Sequence, residues 1–141
     1  MADESNSLRV RLVSPDRILF DTTADAVELP AKNGYMEVLY GHAPLLAELG
    51  AGDVRLHGGG EGGEQIYNVS WGFAEVLPDR VTILANDALK PEEIDVQRAE
   101  QQLERGQKEW SEAGDSEEKY AEALHRISEA EAKLATAQEK H

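Results

Sequence analysis

Histidine is the side chain best suited to hold a metal or move a proton near neutral pH. The four here lie at 42, 57, 125 and 141. No pair has the spacing of a metal-binding helix or hairpin, so the sequence predicts no metal site. The run Gly58-Gly59-Gly60-Glu61-Gly62-Gly63 could cradle a phosphate. It lacks the Lys-Ser/Thr that follows a P-loop and opens no helix, so it reads as a flexible hairpin turn. Serines are present without a Gly-x-Ser-x-Gly elbow, and with no Cys there is no thiolate nucleophile. No catalytic residue is expected. The segment Gly41-His42-Ala43-Pro44-Leu45-Leu46 combines Gly, Pro and a polar ring in a sharp bend that opens into an apolar run. A structural turn and a contact site are both open there.

The elements that would position these residues change in texture near Pro91. Ten of the twelve Gly and four of the five Pro residues precede position 90. In Leu8–Val13, Leu8, Val10 and Leu12 alternate with Arg9 and Arg11, the pattern of a half-buried strand. Further short runs at Ile18–Phe20, Ala26–Leu29, Tyr35–Leu39, Val54–Leu56, Ile66–Val69, Phe73–Leu77 and Val81–Leu84 repeat it. Strands at that spacing predict a β-sandwich or flattened barrel, with a tight hairpin at Pro78-Asp79.

After Lys90, Pro91-Glu92-Glu93 places Pro and acids where a helix N-terminus favours them. Val96, Ala99, Leu103, Gly106 and Trp110 then recur at helical spacing, and so do Tyr120, Ala123, Ile127, Ala130, Leu134 and Ala137. With Ser111–Ser116 as connector, the pattern predicts an antiparallel two-helix hairpin, and the fold class is α+β. The expected domains are 1–88 and 89–141. Few large aliphatic side chains line the two stripes, so the hairpin gains little from burial against its ordering entropy. It reads as an arm able to change its docking.

Fourteen basic against 28 acidic residues give the chain of 141 residues a net charge of −14. That charge repels phosphate backbones and anionic bilayers, which argues against nucleic-acid partners. No apolar stretch approaches the roughly 20 residues needed to span a bilayer, and direct membrane insertion is not expected. The acidic, polar start lacks the regions of a secretory signal.

Several segments, in order along the chain, carry a resemblance. They are Val13-Ser14-Pro15-Asp16 with Leu19-Phe20, the run Gly41–Leu46, and Asn68-Val69-Ser70-Trp71-Gly72-Phe73-Ala74-Glu75-Val76. Val81-Thr82-Ile83-Leu84-Ala85 and Ile94-Asp95-x-x-Arg98-Ala99 follow. From about Leu8 to Lys140 the chain resembles the epsilon subunit of bacterial and plastid rotary F-type ATP synthases, whose mitochondrial counterpart is called delta. The resemblance implies a β-sandwich at the foot of the central stalk, against the gamma subunit and the rotor ring. It implies no covalent chemistry and no required cofactor. The C-terminal helices would extend to the catalytic head to restrain ATP hydrolysis. The location implied is peripheral, on the cytoplasmic face of a bacterial inner membrane or the stromal face of the thylakoid. A soluble nucleotide-sensing or helical adaptor protein is the alternative.

Some members of that family bind ATP as a regulatory ligand between the two helices. The resemblance carries this role to Ile94, Asp95, Arg98 and Ala99, with Arg105 and Arg126 as further helix-borne arginines. Leu89 stands where an acid precedes the motif, and Glu122 replaces a second Arg one turn before Arg126. The residue-level reading of Asp95 is a helix-start acid favouring the dipole. For the rotor-facing surface, Tyr35 takes the place of an acid common in relatives, and Glu37, Tyr40 and His42 remain as contact residues. Trp71 replaces a usual Gly; its area suits either an interface or the inside of the sandwich.

Overall fold

The structure is a computed structural model that describes residues 7–58 and 64–139. The chain divides into two compact units, Met1–Lys90 and Pro91–His141. The division falls just past the expected 88/89 because Leu89 still pairs with Asn68 in the sheet. All of the Gly58–Gly63 turn except Gly58, and also His141, lie outside the described residues.

The first unit holds seven strands: β1 (Leu8–Ser14), β2 (Arg17–Ala24), β3 (Ala26–Ala31), β4 (Gly34–Leu39), β5 (Leu45–His57), β6 (Gln65–Leu77) and β7 (Arg80–Leu89). They form one hydrogen-bonded sheet in the order β2-β1-β7-β6-β5-β3-β4. All neighbours are antiparallel except β1 and β7. Every strand contributes to a single core, from Leu8, Val10 and Leu12 through Val27, Leu49, Val69 and Ile83 to Ala88. One sheet encloses one core only by curling over itself, which is the sandwich the turn spacing predicted.

The strands are longer than the short apolar runs suggested. Ile66–Val69 and Phe73–Leu77 belong to one strand, and Val54–Leu56 is the end of another that begins at Leu45. What interrupts the pattern is a bend. The core-facing positions are odd and then even along three neighbouring strands: Leu49 then Val54 and Leu56, Val69 then Ala74 and Val76, Ile83 and Ala85 then Ala88. Pairing on both sides of β6 skips Trp71 at that level. There Trp71 has φ 60° and Gly72 φ 123°. A Cβ on Gly72 would lie 2.1 Å from the Leu84 carbonyl oxygen, so glycine is what lets β7 approach.

The second unit begins with a single 3₁₀ turn, Pro91–Glu93. Helix α1 runs Val96–Ser111 and helix α2 Glu117–Glu139. The first helix therefore starts later than the Pro-Glu-Glu signal suggested. Asp95 is its N-cap, its carboxylate accepting the Arg98 backbone N–H at 3.0 Å. Ser116 caps α2 in the same way through the Lys119 N–H at 3.2 Å. Between the helices Ala99, Gly106, Ala123, Ala130 and Thr136 are buried. A Cβ on Gly106 would come within 2.8 Å of Ile127 Cγ1, so this glycine sets the closeness of the two helices. The stripe is open at both ends of α1, where Val96 and Trp110 are each more than two-fifths exposed. Trp110 meets Tyr120 edge-on at 4.7 Å across the closed end of the hairpin.

Candidate functional site: an arginine-lined cleft in the helical hairpin

Helical periodicity puts Arg98, Gln101, Gln102 and Arg105 on one flank of α1, one turn apart. The antiparallel partner brings Arg126 of α2 to the same place. These five residues line an open cleft of about 390 Å³. The three arginines named from the sequence are thus brought together, although Arg126 is separated from Arg98 by most of the unit.

Their charges are not equally committed. Glu109 receives the Arg126 Nε–H at 2.8 Å and also lies 3.7 Å from Arg105 Nε, its i−4 neighbour. Gln102 donates to Glu129 Oε1 at 3.2 Å and to the Arg126 carbonyl at 3.5 Å, holding the two helices in register. The Arg98 guanidinium forms no ion pair among the described residues. The cleft therefore offers one uncommitted guanidinium, two that share a carboxylate, and two amides. Planar, bidentate donors of this kind suit phosphate or carboxylate oxygens. On the other side of Gln102 and Arg126, Glu122, His125 and Glu129 line a neighbouring cleft of opposite character, about 340 Å³ in volume.

The other motif residues do not line the cleft. Ile94 is 9% exposed and Ala99 2%, both turned inward as packing residues. Asp95 is occupied with capping α1. Gln101, Gln102 and Glu109 were not singled out in the sequence. Their signal was present, since Gln102 follows Arg98 by one turn and Glu109 follows Arg105 by one turn.

The contact residues expected in the first unit lie in different places. Tyr35 and Glu37 share one face of β4, an edge strand. Tyr35 is 60% exposed, yet its hydroxyl accepts the Asp53 N–H at 3.0 Å, so the ring is pinned to β5 rather than free to turn. Tyr40 and His42 sit in the turn after β4, where His42 N–H closes onto the Leu39 carbonyl at 3.1 Å and Gly41 has φ 91°. Leu39, Tyr40, Leu45 and Leu46 are all exposed around that turn. Trp71 is three strands away from β4, half-buried at the bend. Its positive φ gives the physical reason a Gly would sit there without strain.

Together these features define a class of protein: a curled β-sheet body followed by a small helical arm that bears an anion-suited cleft. Residues 7–102 match the family described as ATP synthase, Delta/Epsilon chain, beta-sandwich domain. The ATP synthase epsilon chain of Solibacter usitatus (strain Ellin6076) is 42% identical over 135 residues, 96% of this chain and 98% of that one. The chloroplastic ATP synthase epsilon chain of Gracilaria tenuistipitata var. liui is 34% identical over 131 residues, 93% of this chain and 96% of its own. The chain belongs to the ATP synthase epsilon chain family. A chain of the Euglena gracilis mitochondrial ATP synthase, solved with OSCP, F1 and c-ring, has the same fold at a TM-score of 0.77 and 23% identity. That match covers 92% of this chain and 81% of the Euglena one. No helix among the described residues is long and apolar enough to cross a membrane.

Proposed function

We propose that this chain is a non-catalytic central-stalk subunit of a proton- or sodium-driven ATP synthase. The β unit anchors it to a gamma subunit and rotor ring, and the hairpin restrains ATP hydrolysis by reaching the catalytic head. In this reading the protein is peripheral to the membrane, on the cytoplasmic face of a bacterial inner membrane or its plastid equivalent. The observation that carries it is likeness to an ATP synthase epsilon chain through both units, 135 residues in all. The small-residue seam of the hairpin agrees with an arm that detaches, since Ala and Gly at the contact give little apolar burial to lose.

The test is to purify the synthase with a chain ended after Lys90, which leaves β7 whole. Assembly is expected to persist while ATP hydrolysis rises. Unchanged hydrolysis rejects the restraining arm, and loss of this chain from the purified complex rejects the anchor.

A second role rests on the cleft itself. Arg98, Arg105 and Arg126 converge on one opening in a protein of net charge −14, and a nucleotide phosphate would offset them there. ATP, as a regulatory ligand, would bridge α1 and α2 and favour the closed hairpin. Calorimetry with ATP on the whole chain, beside Arg98→Ala, tests this. The expected result is saturable binding that the substitution weakens, and equal binding by both proteins rejects the site.

A further inference from the structure

The sheet register assembles a second group of side chains, apart from the hairpin and from the turn after β4. Glu28 of β3 stands directly opposite Glu37 of β4, and on its other side pairs with Arg55 of β5. His57, two residues beyond Arg55 on the same strand, comes diagonally to Glu28. One donor atom from each of Glu28, Glu37 and His57 lies within 4.8 Å of the others. They bring one imidazole nitrogen and two carboxylate oxygens to a point on the outside of the sheet.

Three further features distinguish the group from an ordinary surface ion pair. His57 is held from both sides: Nε2 lies 3.0 Å from Glu28 and Nδ1 lies 3.5 Å from Glu64. A carboxylate on the far ring nitrogen fixes the tautomer and ring orientation of a metal-ligating histidine. The Glu37 carboxylate has no hydrogen bond or ion pair among the described residues. Charge is also in excess. Asp53, Glu28 and Glu64 all lie within 4.0 Å of the single guanidinium of Arg55, with Glu37 beside them. Three carboxylates share that guanidinium, and Glu37 adds a fourth negative charge beside Glu28 and His57, an acidic surrounding that suits a divalent cation.

We propose that Glu28, Glu37 and His57 form a site for a divalent transition metal of the zinc class, with Glu64 orienting the histidine from behind. The mixed nitrogen and oxygen donors favour zinc over magnesium or calcium, which take oxygen ligands alone. Three protein ligands leave a fourth position to water. The three strands β4, β3 and β5 would be tied together at their outer face. A bound ion would therefore stabilise this edge of the sheet.

The test uses the whole chain, stripped with a chelator, and Zn²⁺ as the probe near neutral pH. Calorimetry is expected to give one saturable site, with the His57 imidazole signals moving in NMR and the melting temperature rising. Excess Mg²⁺ should not compete. His57→Ala should abolish binding, and Glu64→Gln should weaken it about tenfold. Glu37 is exposed on an edge strand, so Glu37→Gln leaves the fold intact and is expected to weaken binding at least tenfold even if the histidine variant misfolds. No saturable binding overturns the proposal. So does binding that survives both His57→Ala and Glu37→Gln, or that is lost instead in His125→Ala on the hairpin.

Discussion

Replacing Gly72 by Ala should be among the most damaging single changes in the β unit. Two separate costs act there. The residue has φ 123°, a region closed to side chains, and occupying it costs of order 1–3 kcal/mol. The added Cβ would also sit 2.1 Å from the Leu84 carbonyl oxygen and 3.0 Å from Ala85 Cα. Both contacts are backbone, so no rotamer change relieves them. The paired strands must part by about 1 Å, and overpacking of this kind costs about 1–3 kcal/mol more. The sum, roughly 2–6 kcal/mol, is a large fraction of the 5–15 kcal/mol typical of a domain. About 4–8 °C of melting temperature is lost per kcal/mol in a unit of this size. The β-unit transition in calorimetry should therefore fall by at least about 8 °C. Trp71→Gly is the control, since it removes about 1–2 kcal/mol of left-handed strain while losing half-buried ring area. Its melting temperature should stay within about 8 °C of the parent. A Gly72→Ala shift below about 4 °C would refute the reasoning that this glycine sets the approach of β7.

In the hairpin, Glu109→Gln removes the carboxylate that holds both Arg126 and Arg105, freeing those guanidinia for the cleft; ATP affinity should rise several-fold in calorimetry. A fall would show that Glu109 positions the arginines for the ligand rather than competing with it. On the sheet, the hydrogen bond from Arg9 holds the Asp21 carboxyl below its ordinary value of 3.8. A depressed folded-state pKa means its contribution is present above 3.8 and is lost as pH falls through the lower folded value. Asp21→Asn should therefore show a small deficit in melting temperature at neutral pH that closes in acid. A deficit unchanged between neutral pH and about pH 2 would reject that assignment.

Most of the architecture was legible in the residue pattern, because alternation and helical spacing are local properties of the chain. Leu8, Val10 and Leu12 point inward as their spacing requires, and the two helices lie where the Ala, Leu and Gly stripes predicted them. Strand lengths were less legible. A bend such as Trp71-Gly72 reverses the in-out parity without ending the strand, and a reader of alternation sees two runs there. The start of the first helix was displaced for a related reason. Pro91-Glu92-Glu93 has the composition of a first turn, but Asp95, by accepting the Arg98 N–H, sets the cap after it.

Residue pattern and motif order were enough for the class of fold, the division into a β body and a helical arm, and the family to which the chain belongs. These rest on periodicity and on motifs read in order, which need no knowledge of contacts. Only the folded chain shows which of the motif residues line the cleft. Arg98 and Arg126 come together because two helices run antiparallel, while Ile94 and Ala99 turn inward and Asp95 serves the backbone. It also decided that Glu28, Glu37 and His57 converge. Strand register sets that convergence, and register depends on pairing between segments far apart in the chain.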